Sequence, residues 1–190
     1  MLYGWDISTS IVGLASFHDD GKFDGVSFLD LRKAEGQLAK ADAFEEWLRA
    51  LSVGLYSDAH HFIEERLGGF AGGRTSAQVL MKLAQFNAMC SYILWRHARD
   101  HSDRKITYLH PSTWKSIMKR EGLIIPKGAD KKELTLAFVR RKQPEFPIAL
   151  NRNEKPQPWC YDTADAWCIG RAGWLKLQET SGQSITRSTP

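Results

Sequence analysis

Three β-rich apolar runs open the chain in quick succession: Leu2 to Ile7, Ile11 to Phe17 and Phe23 to Leu31. Only Ser8-Thr9-Ser10 separates the first two, and the turn-rich His18-Asp19-Asp20-Gly21-Lys22 separates the second from the third. Connections this short suit hairpins, so three consecutive antiparallel strands are the economical reading.

A helical pattern follows from about Gln37 to Leu55, with Leu38, Phe44, Trp47, Leu48 and Leu51 on its apolar face. Next come a short strand, His60 to Glu65, a glycine-rich loop, Gly68 to Gly73, and a long helix from about Ser76 to Ala98. On that helix Leu80, Leu83, Phe86, Asn87, Cys90, Ile93 and Leu94 recur at helical spacing, which serves either a core or a dimer seam. Ile106 to Leu109 reads as a strand, Pro111-Ser112-Thr113 opens a helix, and Asp130 begins a basic helix reaching about Lys142. Four prolines make Gln143 to Pro158 a loop. The last helix is expected from Asp162 to about Leu177, and the Ser/Thr-rich tail 178–190 is expected to be disordered. Three strands followed by alternating helices and strands predict an α/β sandwich round a mixed sheet, in one domain over residues 1–177. A chain of 190 residues is long enough for one substantial core and short for two.

No unbroken apolar stretch is long enough to span a bilayer, and Trp5-Asp6 interrupts the first apolar run too early for a secretory signal. A cytoplasmic protein is expected. The three cysteines, Cys90, Cys160 and Cys168, fall in apolar helical patterns without the paired spacing of a zinc site, so buried reduced thiols are expected. His60 and His61 are adjacent in a strand and point to opposite faces, which suits no shared metal.

Four acids occupy telling places. Asp6 ends the first strand, Glu64 ends another in Phe62-Ile63-Glu64-Glu65, and Asp162 and Asp165 stand three apart at the start of the final helix, on one face. Brought together, they could hold two Mg²⁺ ions roughly 3.5–4 Å apart, one activating water and one stabilising the leaving oxygen of a phosphodiester. Each acid alone also suits a plain structural role: a strand end, a solvent-facing strand position, or complementing a helix dipole. Setting these four aside leaves 26 basic residues against 18 acidic ones, an excess of eight that attracts a polyanion.

The same residues carry a family resemblance. GWDISTSIVGLASF (4–17) resembles the first strand and turn of RuvC-like Holliday junction resolvases, and FIEERL (62–67) their second acidic motif. LMKLAQFNA (80–88) resembles their Leu-Lys-Leu-Gly-Gln helix, and YDTADAWCI (161–169) their closing Asp-x-x-Asp-Ala helix. The resemblance implies an RNase H-like fold, catalytic metal-binding carboxylates at Asp6, Glu64, Asp162 and Asp165, and two Mg²⁺ ions, with Mn²⁺ as a substitute. It also implies a homodimer that nicks opposed strands of a four-way DNA junction. Glu64 is preferred because it follows two apolar strand residues as the family's Glu does; its neighbour Glu65 stays open. The chain departs from the family pattern at Asp6-Ile7-Ser8, where Asp-Pro-Gly or Asp-x-Gly is usual, and at Ala84, where the helix glycine stands. The aromatic that probes the junction centre in some relatives matches Leu67, with Phe70 nearby.

Basic residues mark candidate phosphate contacts: Arg74 and Lys82 near the second motif, Lys115 and Lys119 on the Pro111 helix, and Lys127, Lys131 and Lys132 ahead of the final helix. Such contacts bind without reading sequence, so selectivity must come from the shape of the DNA; the plain alternative for each is a solvated helix face. Competing readings exist. Gly68 to Thr75 fits a phosphate loop, but with Arg74 where a P-loop needs Lys. Trp5-Asp6-Ile7-Ser8-Thr9 also suits sugar-kinase and actin-like ATPases, which need two such domains. Other RNase H-like nucleases, acting on branched DNA or an RNA–DNA hybrid, are the nearest alternative, and a purely structural DNA-binding protein has no use for four converging acids.

Overall fold

In a computed structural model the described residues are 1–51, 59–65, 77–97 and 105–186. The three opening runs form β1 (Leu2–Ile7), β2 (Ile11–Phe17) and β3 (Phe23–Asp30), paired antiparallel as expected. β4 (His60–Glu64) lies parallel to β1, and β5 (Lys105–Leu109) lies parallel to β4, giving one mixed sheet in the order β3-β2-β1-β4-β5. The helices are α1 (Gly36–Ala50), α2 (Ala77–His97), α3 (Pro111–Arg120), α4 (Lys131–Lys142) and α5 (Pro158–Thr186). None of the helices, among the described residues, is long and apolar enough to cross a membrane.

The pleat of β1 sorts its residues between two cores. Tyr3, Trp5 and Ile7 face α1 and α2, joining Val12, Leu14, Phe44, Leu48, Ile63, Phe86 and Cys90 in one buried cluster. The Trp5 indole, fully buried, donates to His61 Nδ1 at 3.1 Å and packs edge-on against Phe44 and Trp47. Leu2 faces the other way, as do Ala15, Phe17 and Phe62, into a core made with α3, α4 and α5. On α2, Phe86, Asn87, Cys90, Ile93 and Leu94 are buried, so these serve the core. All three cysteines are buried and free.

Glycines set the distance between the sheet and α5. A Cβ on Gly4 would stand 2.2 Å from the Ala166 carbonyl oxygen, and one on Gly13 would stand 2.4 Å from that of Asp162. Facing them, Gly170 and Gly173 leave room for Phe17 and for the Phe62 ring. The helix therefore lies flush on β1 and β2, closer than any side chain would allow.

Start signals explain α3 and α4. His110 caps α3, its Nδ1 accepting from the Ser112 N–H at 3.2 Å ahead of Pro111, and Asp130 caps α4 by accepting from the N–H groups of Lys132 and Glu133. α5 differs from expectation at both ends. It begins at Pro158, where the missing N–H costs nothing in a first turn, and it continues through much of the tail expected to be disordered. There the hydroxyls of Thr180 and Ser181 bond back to the carbonyls of Lys176 and Leu177 within the helix, and Glu179 pairs with Arg120 of α3 at 2.9 Å. The earlier start moves Asp162 and Asp165 out of the first turn, which holds no acid, so complementing the helix dipole does not account for them.

Candidate active site

Asp6 and Glu64 are set by strand register. β1 and β4 run side by side in parallel with Trp5 opposite Ile63, so the next residues along, Asp6 and Glu64, end neighbouring strands on the face that α5 covers. Asp6 also pairs with Gly13, whose lack of a side chain lets the backbone of Asp162 descend onto the sheet. Asp165, three residues further on, shares that face of α5. All four carboxylates line one cavity of about 550 Å³. Asp6, Glu64 and Asp162 are each less than a tenth exposed.

Around the acids stand groups that hold or offset their charge. The Trp114 indole donates to Glu64 Oε1 at 3.2 Å, and Asn87 Nδ2 donates to the Glu64 carbonyl at 3.2 Å, tying the end of β4 to α3 on one side and α2 on the other. Lys132 Nζ pairs with Asp162 Oδ1 at 3.2 Å and lies over the Tyr161 ring, whose hydroxyl donates to Glu133. Lys115 lies over the Trp114 ring, its Nζ 4.9 Å from the centroid. Ser8 shapes the β1–β2 turn: its hydroxyl donates to the Ile11 carbonyl at 2.7 Å and accepts from the Ile11 N–H. Burial, followed by the negative charge of Glu64, pushes the Asp165 carboxyl up to about 6; Lys132 and Lys115 pull it back, and Asp162 adds to the rise.

Four acids in so confined a space repel one another, and two nearby ammonium groups offset that only in part. Among the described residues no group of three or more Asp, Glu, His or Cys side chains is gathered so as to hold a metal ion as placed. The carboxyls instead ring a cavity, with Lys132 supplying positive charge at Asp162. As a donor set, four carboxylates are hard oxygen ligands of the type that suits Mg²⁺ and keeps room for water and a phosphate oxygen.

The other candidates divide. Lys115, Lys131 and Lys132 line the carboxylate cavity, as do Arg32, Ser8 and Ser10. Lys119 and Lys127 are exposed and do not line it. Lys82 lines a neighbouring recess. Glu65 stands outside the cavity wall, its N–H donating to the Leu109 carbonyl. Arg74, Leu67, Phe70 and the glycine-rich segment 68–75 lie outside the described residues. Trp114, 4% exposed and so also core, Gly4, Gly13 and Arg32 have no place among the sequence candidates, and Asn87 appears there only as part of the α2 stripe. A signal for Trp114 was its place beside Lys115 in the helix opened by Pro111.

No protein-family model matches the chain, and no curated protein matches it in sequence. Solved structures do resemble it. Thermus thermophilus RuvC in complex with a Holliday junction substrate aligns with a TM-score of 0.60 and 12% identity over 94% of this chain and 96% of that one. A second Thermus thermophilus RuvC structure gives 0.57 and 14% over 94% and 96%. Fowlpox virus resolvase, in complex with substrate Holliday junction DNA, gives 0.52 and 13% over 93% and 97%. The fold is thus that of RuvC-like resolvases, an RNase H-like α/β fold.

Proposed function

We propose that this chain is a divalent-metal-dependent endonuclease that resolves four-way DNA junctions, with Asp6, Glu64, Asp162 and Asp165 as its metal-binding, catalytic carboxylates. The observation that carries the reading is the convergence of those four acids, from β1, β4 and α5, on one cavity edged by Lys115, Lys131 and Lys132. Two Mg²⁺ ions, or Mn²⁺ in their place, would activate water and stabilise the leaving oxygen of the phosphodiester. The chain's own part is positional. β1 and β4 fix Asp6 and Glu64 side by side, the flush contact at Gly13 holds Asp162 against them, and the Trp114 indole orients Glu64. The lysines draw the DNA backbone to the rim and limit repulsion between phosphate and carboxylate.

Resolution by paired nicks needs two such sites facing opposed strands, which a homodimer supplies. Support for a dimer comes from α2, where Met81, Tyr92 and Trp95 fall on one stripe and are exposed at 62%, 59% and 42%. The substrate class draws on the two solved neighbours that hold Holliday junctions.

A junction-cleavage assay tests the reading. Purified protein with Mg²⁺ should cut a synthetic four-way junction, while Asp6→Asn, Glu64→Gln, Asp162→Asn and Asp165→Asn should each abolish cutting and keep binding. Full activity in all four variants discards the site. Equal cutting of linear duplex or of an RNA–DNA hybrid removes the junction assignment and leaves a nuclease.

A further inference from the structure

Next to the carboxylate cavity is a second recess of about 310 Å³, lined by Thr9, Gly36, Gln37, Lys40, Val79 and Lys82. The two adjoin. Thr9 stands between Ser8 and Ser10, and Lys82 precedes Leu83; Ser8, Ser10 and Leu83 all line the first cavity.

Three elements are fastened together at this recess. Lys40 Nζ, on α1, donates to the Thr9 carbonyl at 2.5 Å, and Gln37 Nε2, also on α1, donates to the Lys82 carbonyl of α2 at 2.8 Å. Two lysines from separate helices therefore line one hollow, with the Lys40 ammonium held on the Thr9 carbonyl, and among the described residues no acidic side chain lines it. The first turn of α1 contains no acid either, and space is open at Gly36, where an added Cβ would meet nothing within 4 Å. Two flexible lysine side chains flanking a hollow of this size have the chemistry to receive a single phosphodiester.

We propose that this recess binds a non-scissile backbone phosphate of the DNA strand being cut, through Lys40 and Lys82, and so sets the strand's path into the carboxylate cavity. The inference rests on the nuclease reading and adds a place for the substrate backbone that the four acids do not define.

The test uses a four-way junction carrying one neutral methylphosphonate at a time near the cutting point, with binding measured in EDTA to hold off cleavage. Wild-type protein, the Lys40→Gln/Lys82→Gln double variant and Lys40→Arg/Lys82→Arg are compared across salt. Losing one phosphate contact should lower the slope of log K against log salt by about 0.9, so that between roughly 50 and 200 mM salt the Gln variant loses about 3.5-fold less affinity than wild type. The Arg variant should keep the wild-type slope. One methylphosphonate position should weaken wild type and leave the Gln variant unaffected.

If the Gln variant keeps the wild-type slope, or every methylphosphonate weakens both proteins alike, the recess is not a phosphate site even though the junction is bound and cut. If wild-type protein neither binds nor cuts the junction, the nuclease reading itself falls and takes this inference with it.

Discussion

Gly13→Ala is the smallest change that should disturb the candidate site without touching a carboxylate. The new methyl would lie 2.4 Å from the Asp162 carbonyl oxygen and 2.9 Å from the Thr163 nitrogen, where ordinary van der Waals contact begins near 3.4 Å. Both neighbours are backbone, so α5 must lift or slide by about 1 Å instead of letting a side chain rotate away. Overpacking of this kind costs about 1–3 kcal/mol, which for a chain of this length lowers Tm by roughly 2–12 °C. Asp162 travels with the helix while Asp6 stays on its strand, and a displacement near 1 Å can cost about a hundredfold in rate. Calorimetry gives the first quantity; single-turnover junction cleavage, well below both melting temperatures, gives the second. Gly25→Ala is the control, because its methyl would meet only Ser16 Oγ at 3.8 Å, and both quantities should stay near wild type. A Gly13→Ala protein that cuts at the wild-type rate would refute the idea that close approach of α5 sets the acid geometry.

Two further outcomes follow from individual side chains. Trp114→Phe removes the donor to Glu64 Oε1 while keeping an aromatic in the core, and should weaken metal affinity and cleavage by roughly 10- to 100-fold; unchanged Mg²⁺ dependence would show that Glu64 needs no such orientation. His61 gives the pH dependence of stability. Burial, with a smaller contribution from His60, pushes it down to about 4, so the unfolded chain takes up a proton that the folded one refuses as pH falls below about 6.5. Its stabilising effect is complete above that pH and is lost as pH drops through about 4, with a full swing on the order of 3 kcal/mol. Asp165, raised to about 6, works oppositely over part of that range. The measurement is therefore the denaturant stability of wild type minus that of His61→Phe between pH 7 and pH 4, and a flat difference contradicts the assignment.

Much of the architecture is legible in the chain because it rests on local rules. Alternation and turn composition locate β1 to β3, and the Pro111 start signal and the Asp130 cap locate α3 and α4. Asp6 and Glu64 could be placed because each ends an apolar strand. What stayed hidden is tertiary. Gly4 and Gly13 look like weak points in strands until α5 is laid across them, and no periodic pattern reports which distant backbone will press there. The tail of α5 looks disordered by composition, yet its hydroxyls bond back within the helix and Glu179 finds Arg120. Trp114 is at once a core residue and a hydrogen-bond donor to Glu64, two roles that an apolar pattern reads as one.

The proposed chemistry requires the four acids to seat a pair of divalent cations. A crystal structure of the protein grown with Mn²⁺, with the ions located by anomalous scattering, tests it most directly. Two peaks about 3.5–4 Å apart are expected among Asp6, Glu64, Asp162 and Asp165. Mn²⁺ bound only elsewhere, with that cavity holding none at saturating concentration, would contradict it.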